Sequence, residues 1–317
     1  MRRYALTLLL LWPAGALAAR WYARAEEIPA GVAIPVALAL LLELSLYAAL
    51  AFQETRDRIA RLGRWLPSAL IASAAVPYLV YAWPTGMFDV RALGELLALA
   101  GAASAWYYVL PHRRIADAAF LVFMAAVVLA RLFDRIYASP VDGLDVQILG
   151  HLLWIRLGIT ALLLVRRLDG IGFGFWPSRR EWLIGLRQFA ILLPLAAALL
   201  YGLDFARLNL DAAPWGMAPF TFFGILWVVA LSEEFFFRGL LLRWLADWLG
   251  TVPGLVIASL AFGAVHLSFR EFPNWRFAAL AALAGLFYGR AYLQGNGIRA
   301  AMVTHALMVT TWRTLFR

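Results

Sequence analysis

Glu233 and Glu234 stand side by side in an apolar run, Ala230-Leu231-Ser232-Glu233-Glu234-Phe235-Phe236-Phe237-Arg238, and no charged residue occurs from Met217 to Leu231. A carboxylate at membrane depth costs about 2.5–3.5 kcal/mol on insertion scales, and such groups usually mark a site. Two adjacent carboxylates are costly to ionise together there, so one stays protonated or takes a counter-charge. Arg238 follows Glu234 by four residues, shares its helical face and can supply it. Glu233 is turned away by about 100° and aims at a different neighbour. The expected division is that Glu234 is structural, held by Arg238, while Glu233 is free to work on a water.

Two of the four histidines, His266 and His305, also fall inside apolar segments. If 217–249 is one helix that turns at Gly250-Thr251-Val252-Pro253-Gly254, Glu233 lies about 24 Å before the turn and His266 about 21 Å beyond it. The two are level. His305 lies about 10 Å into the last helix and meets them if that helix starts higher or tilts. The spacing therefore predicts a Glu-Glu-His-His cluster in the bilayer. No cofactor is required by this pattern, yet one carboxylate and two histidines are also a common metal-ligand set. A divalent metal held by Glu233, His266 and His305 stays open. There is no His-Glu-x-x-His motif. Either His266 or His305 alone would read as a satisfied core or interfacial histidine; the joint pattern raises both.

Apolar helices must position these groups. The 317 residues are 64% hydrophobic and 15% charged, with a mean hydropathy of +0.77. A soluble domain is nearer half apolar and a quarter charged. The pattern predicts an all-α, polytopic transmembrane bundle of about eleven helices, each near the roughly 20 residues that span a bilayer. They cover 4–19, 29–52, 65–83, 92–110, 116–131, 147–165, 182–203, 217–249, 252–268, 277–294 and 298–313. The first has a second reading as a cleaved signal peptide, from Arg2-Arg3, the Leu8–Leu11 run and Ala16-Leu17-Ala18-Ala19.

All 28 basic residues are Arg, and the net charge is +9. They lie mostly between apolar runs, so they read as topology signals and lipid-headgroup contacts, not as a nucleic-acid surface. Clusters such as Arg56, Arg58, Arg61 and Arg64 favour a cytoplasmic N-terminus. The absence of cysteine excludes disulfides, thiolate-held metals and a Cys nucleophile. The fourteen Trp read mostly as an aromatic belt. His112, beside Arg113-Arg114, reads as a headgroup residue, and His151 with Arg156 as a polar pair.

Residues 166–181, rich in Gly, Pro and Arg, form a candidate cytoplasmic linker. It separates N-terminal helices, 1–165, with no clustered polar chemistry, from a C-terminal region, 182–317, that holds all of it.

Glu233-Glu234-x-x-x-Arg238, then Phe262-x-x-x-His266, then His305 in the last helix resemble the successive motifs of the CPBP family, the CAAX-processing and bacteriocin-processing membrane proteases also called Abi. Gly285-Leu-Phe-Tyr-Gly289 resembles the small-residue helix of that family. The similarity covers about 182–317. It implies a CPBP-like catalytic bundle and an intramembrane endopeptidase, with Glu233 as general base, His266 orienting the water and His305 bonding the oxyanion. Implied partners are membrane lipids and a peptide or membrane-anchored protein substrate. The Arg-only, Leu/Ala-rich chain suggests a bacterial inner membrane. One position departs: the family pattern ends His-x-x-x-Asn or Asp, and here Val309 stands four residues after His305. The departure keeps an inactive, peptide-binding scaffold as an alternative. A metal-dependent hydrolase is a second. A proton relay is a third, weakened by the confinement of the polar residues to one half.

Overall fold

The computed structural model describes residues 1–210 and 215–316. The chain is helical and folds as two compact units, Met1–Leu168 and Asp169–Arg317.

The first unit holds α1 (Arg2–Ala25), α2 (Ala30–Ala49), α3 (Gln53–Ala60), α4 (Leu66–Thr85), α5 (Val90–Val109), α6 (Arg114–Leu129), α7 (Leu132–Ile136) and α8 (Ile148–Val165). The second holds α9 (Arg179–Gly202), α10 (Trp215–Leu249), α11 (Thr251–Val265), α12 (Trp275–Gly295) and α13 (Ile298–Leu315). Each of the eleven apolar segments is a helix. The short α3 and α7 are additional. Uniform length does not hold. Six described helices, α2, α4, α5, α8, α9 and α10, are long and apolar enough to cross a membrane. Of the other five, α6 has 16 residues and α11 only 15, whereas α1, α12 and α13 are long enough but not apolar enough.

The first unit contains buried charge that the sequence hid. Arg156 Nε donates to Glu43 Oε1 at 2.7 Å and its Nη2 to Glu43 Oε2 at 3.1 Å, while Nη1 reaches Ser73 Oγ at 2.9 Å. Arg166 pairs with buried Asp117 at 2.9 and 3.0 Å. The expectation of no clustered polar chemistry in this half is therefore corrected. So is the pairing of His151 with Arg156: His151 Nδ1 donates to the Gln147 carbonyl at 3.0 Å, one helical turn back. Among the described residues, buried charges find charged partners, as the cost of an unpaired ion in an apolar interior demands.

In the second unit Ser178 opens α9 with a reciprocal cap: its hydroxyl accepts from Glu181 N, and Glu181 Oε2 accepts from Ser178 N. Glu181 also holds Arg299 of α13 at 2.9 Å. α13 lies against α9 through Gly185, whose carbonyl accepts from Thr304 Oγ1 at 3.1 Å. The segment before α9 is anchored as well. Ile298 N donates to Ile171 O at 3.1 Å, and Trp227 Nε1 to Phe175 O at 2.9 Å. Gly172 and Gly297 meet there backbone to backbone: a Cβ on Gly172 would stand 2.5 Å from the Gly297 Cα. Gly172 also takes φ +64°, where other residues are strained. α11 and α12 approach closely for the same reason. A Cβ on Gly263 would stand 2.6 Å from the Ala278 carbonyl oxygen.

Candidate active site

α10 runs unbroken past the two glutamates, which stand in mid-helix. The helix is widened on both sides of them, with π-helical turns over Ile225–Ala230 and Phe235–Leu242. Such wide turns inside α-helices are frequent at functional sites.

Glu234 is fully buried, and Arg238 is 1% exposed. Arg238 Nη1 donates to Glu234 Oε1 at 2.9 Å, the pairing that the i, i+4 spacing predicts. Arg238 Nη2 donates to the Gly285 carbonyl at 3.2 Å. A Cβ on Gly285 would lie 3.3 Å from that same nitrogen. Glycine at 285 therefore lets the guanidinium reach the α12 backbone. The guanidinium carbon sits over the Phe262 ring at 4.4 Å and the Tyr288 ring at 5.2 Å. Cation–π contact of this kind is strongest where water is excluded.

His305, on α13, is 3% exposed and touches both glutamates. Its Nδ1 lies 2.7 Å from Glu234 Oε1 and its Nε2 3.8 Å from Glu233 Oε2. The imidazole stacks on Tyr288, centroids 4.5 Å apart and planes 12° apart, and meets Phe262 edge-on at 6.0 Å. Glu233 is 29% exposed at its side chain, yet its Oε2 is buried and accepts no hydrogen bond from the protein. Glu234 Oε2 is in the same condition.

The structure thus gathers Glu233, Glu234, Arg238 and His305. His266 stands at the rim. It follows the last residue of α11, and its Nδ1 donates to the Phe262 carbonyl at 2.7 Å. It joins the others through the Phe262 ring, 4.7 Å from its own. Among the described residues no hydrogen bond or ion pair links it to either glutamate or to His305. Among them no group of three His, Asp or Glu side chains is placed to hold a metal ion.

Tyr288 is the site residue that sequence reasoning missed. Its signal was Gly285-x-x-x-Gly289, which marks a close helix approach and so a side chain pressed into the neighbouring helix. Two other side chains of this unit, Asn274 and Thr310, carry hydrogen-bond donors. The Asn274 side chain is committed at both ends, donating to Phe269 O and accepting from Phe277 N. The Thr310 hydroxyl is buried without a partner, on an α13 that runs regularly through 309–311.

Residues 214–311 match a family described as type II CAAX prenyl endopeptidase Rce1-like. No curated protein and no solved structure matches the chain. The match spans the Glu233–Arg238 motif, Phe262–His266, Gly285–Gly289 and His305. The match covers less than half of the chain but every one of these motifs, and this similarity to CAAX-type endopeptidases supports a membrane-embedded peptide hydrolase.

Proposed function

We propose that the protein cleaves a peptide bond at membrane depth by a glutamate-activated water, with Glu233 as the general base. The observation that carries this reading is the contrast between the two carboxylates. Glu234 is fully buried and one of its oxygens is held by both Arg238 and His305, whereas Glu233 is 29% exposed at its side chain and keeps an Oε2 that no protein group serves. A general base needs such a free acceptor within hydrogen-bond reach of the water it deprotonates. The water attacks the substrate carbonyl, and protonated Glu233 returns its proton to the departing amide nitrogen. His266, at the rim, guides substrate or the incoming water. Arg238 fixes the base-bearing helix through Glu234 and Gly285.

Residues 182–317 act as the protease domain, 166–181 as its cytoplasmic linker and 1–165 as helices that dock a substrate or partner. The N-terminus lies on the cytoplasmic side of a bacterial inner membrane. The substrate is a secreted peptide or a membrane-anchored protein. The test is purified protein in liposomes, offered a farnesylated CAAX peptide and unprenylated anchored peptides. Glu233-dependent cleavage of either supports the reading. Cleavage that survives Glu233→Gln ends it, and capture without cleavage favours the peptide-binding scaffold.

A further inference from the structure

In the first unit, α1 and α2 are pinned together along one half of their length. Tyr4 Oη donates to the Ser45 carbonyl and Trp12 Nε1 to the Ser45 hydroxyl, each at 3.0 Å. A Cβ on Gly15 would run into the Leu41 side chain, so the helices touch there. Beyond Gly15 the facing residues are small, and a cavity of about 630 Å³ opens between the helices. That size lies within the range of small-ligand sites, about 300–1,000 Å³. Ala16, Ala19 and Ala23 of α1 and Ala33, Ala37 and Leu41 of α2 line it.

The end of the cavity towards the α1–α2 turn is charged. Arg20, Arg24 and Glu27 belong to the same lining. Among the described residues no side-chain hydrogen bond or ion pair engages any of the three. Neighbouring residues set the depth of this end. α2 is apolar and long enough to cross a membrane, and it begins at Ala30, just after Glu27. Trp21 and Tyr22 are exposed beside the arginines, as aromatic residues are at the headgroup level. From Ala30 to Leu41 the groove descends about 16 Å along α2 into the acyl layer.

Apolar walls at acyl depth, with charges of both signs at headgroup depth, match a phospholipid whose headgroup carries both signs. Arg20 and Arg24, one turn apart on one helical face, suit a phosphate. Glu27 suits an ammonium and repels a headgroup that has none. A spanning helix, about 10 Å wide and 30 Å long, is several times too large for the cavity.

We propose that the α1–α2 groove binds a zwitterionic phospholipid with a primary ammonium headgroup. One acyl chain lies against the alanines, the phosphate bridges Arg20 and Arg24, and the ammonium donates to Glu27. The lipid fills the space that the small side chains leave. It also ties α1, none of whose residues is buried within the protein, to its neighbour.

The test is native mass spectrometry of the full-length protein from micelles doped equally with phosphatidylethanolamine, phosphatidylcholine and phosphatidylglycerol of identical acyl chains. One phosphatidylethanolamine is expected to stay bound in preference to the other two. Arg20→Ala or Arg24→Ala lowers its retention about tenfold. Glu27→Gln abolishes the discrimination against phosphatidylglycerol. Ala33→Leu with Ala37→Leu fills the groove and expels the lipid while the charged residues stay. Equal retention of the three lipids, or a preference that none of these changes alters, overturns the proposal. So does an intact mass showing a chain that starts beyond Ala19, because one wall is then missing. A farnesylated peptide that displaces the lipid, or a dimer lost on Ala33→Leu with Ala37→Leu, gives the groove to another occupant and overturns it too. If the leucine pair does not fold, Glu27→Gln, an exposed change outside the helices, still decides.

Discussion

Arg238 and His305 converge on a single atom, Oε1 of Glu234, at 2.9 and 2.7 Å. The ion pair that secures α10 and the hydrogen bond that aims the imidazole are thus the two arms of one carboxylate. Disturbing either arm disturbs the other.

Arg238→Leu removes the counter-charge from a fully buried carboxylate and frees the Gly285 carbonyl. Breaking a buried pair in this way costs about 3–5 kcal/mol. Arg238→Lys keeps the charge but lacks the planar fork that spans Glu234 and Gly285, so it is expected to lie between. Thermal unfolding in detergent, followed by tryptophan fluorescence, ranks the three proteins. A Leu variant that melts with the wild type would refute the structural role.

Glu233→Gln keeps the shape of the side chain and abolishes its basicity. Loss of a general base lowers turnover by roughly 10²–10⁴. Because Glu233 has no arginine partner among the described residues, the unfolding temperature should barely move. Glu234→Gln should lower both turnover and melting temperature, since it weakens both arms. The reverse ranking in stability would exchange the two roles.

Val309→Asn places an amide donor one turn beyond His305, on the same face of α13. One oxyanion donor is worth about 10²–10³ in rate where it has been removed from a protease. With Asn274 occupied elsewhere, the added donor should speed cleavage in liposomes. Unchanged or slower turnover would show that the oxyanion is already served by another group.

Glu43→Leu strands Arg156 in the core of the first unit and should cost about 3–5 kcal/mol. The double variant Glu43→Leu with Arg156→Met should recover most of it, because a well-packed apolar pair often replaces a buried ion pair without loss. Additive destabilisation of the two changes would count against the pairing.

What could be read from the sequence follows the range of each interaction. Continuous apolar runs announce their helices, so all eleven were visible. α3 and α7 were not: Gln53–Ala60 is polar, and Leu132–Ile136 is a single turn. The Glu234–Arg238 pair was legible because four residues of helix fix its geometry. The contact between Glu234 and His305 spans 71 positions and depends on how α10 packs against α13. Glu43 and Arg156 are 113 positions apart, so Glu43 looks like a solitary charge and Arg156 like a partner of His151 until the fold joins them. The flat stacking of Tyr288 on His305 was invisible for a further reason. Residue type predicts that a ring is buried, whereas its plane is set by the neighbours around it.

The meeting of Gly172 and Gly297 makes two distant stretches of chain a single mechanical part. No side chain cushions them, and the bond from Ile298 N to Ile171 O fastens them at the first residue of α13. Tension on residues 169–176 is therefore delivered to the helix that carries His305, seven residues further on.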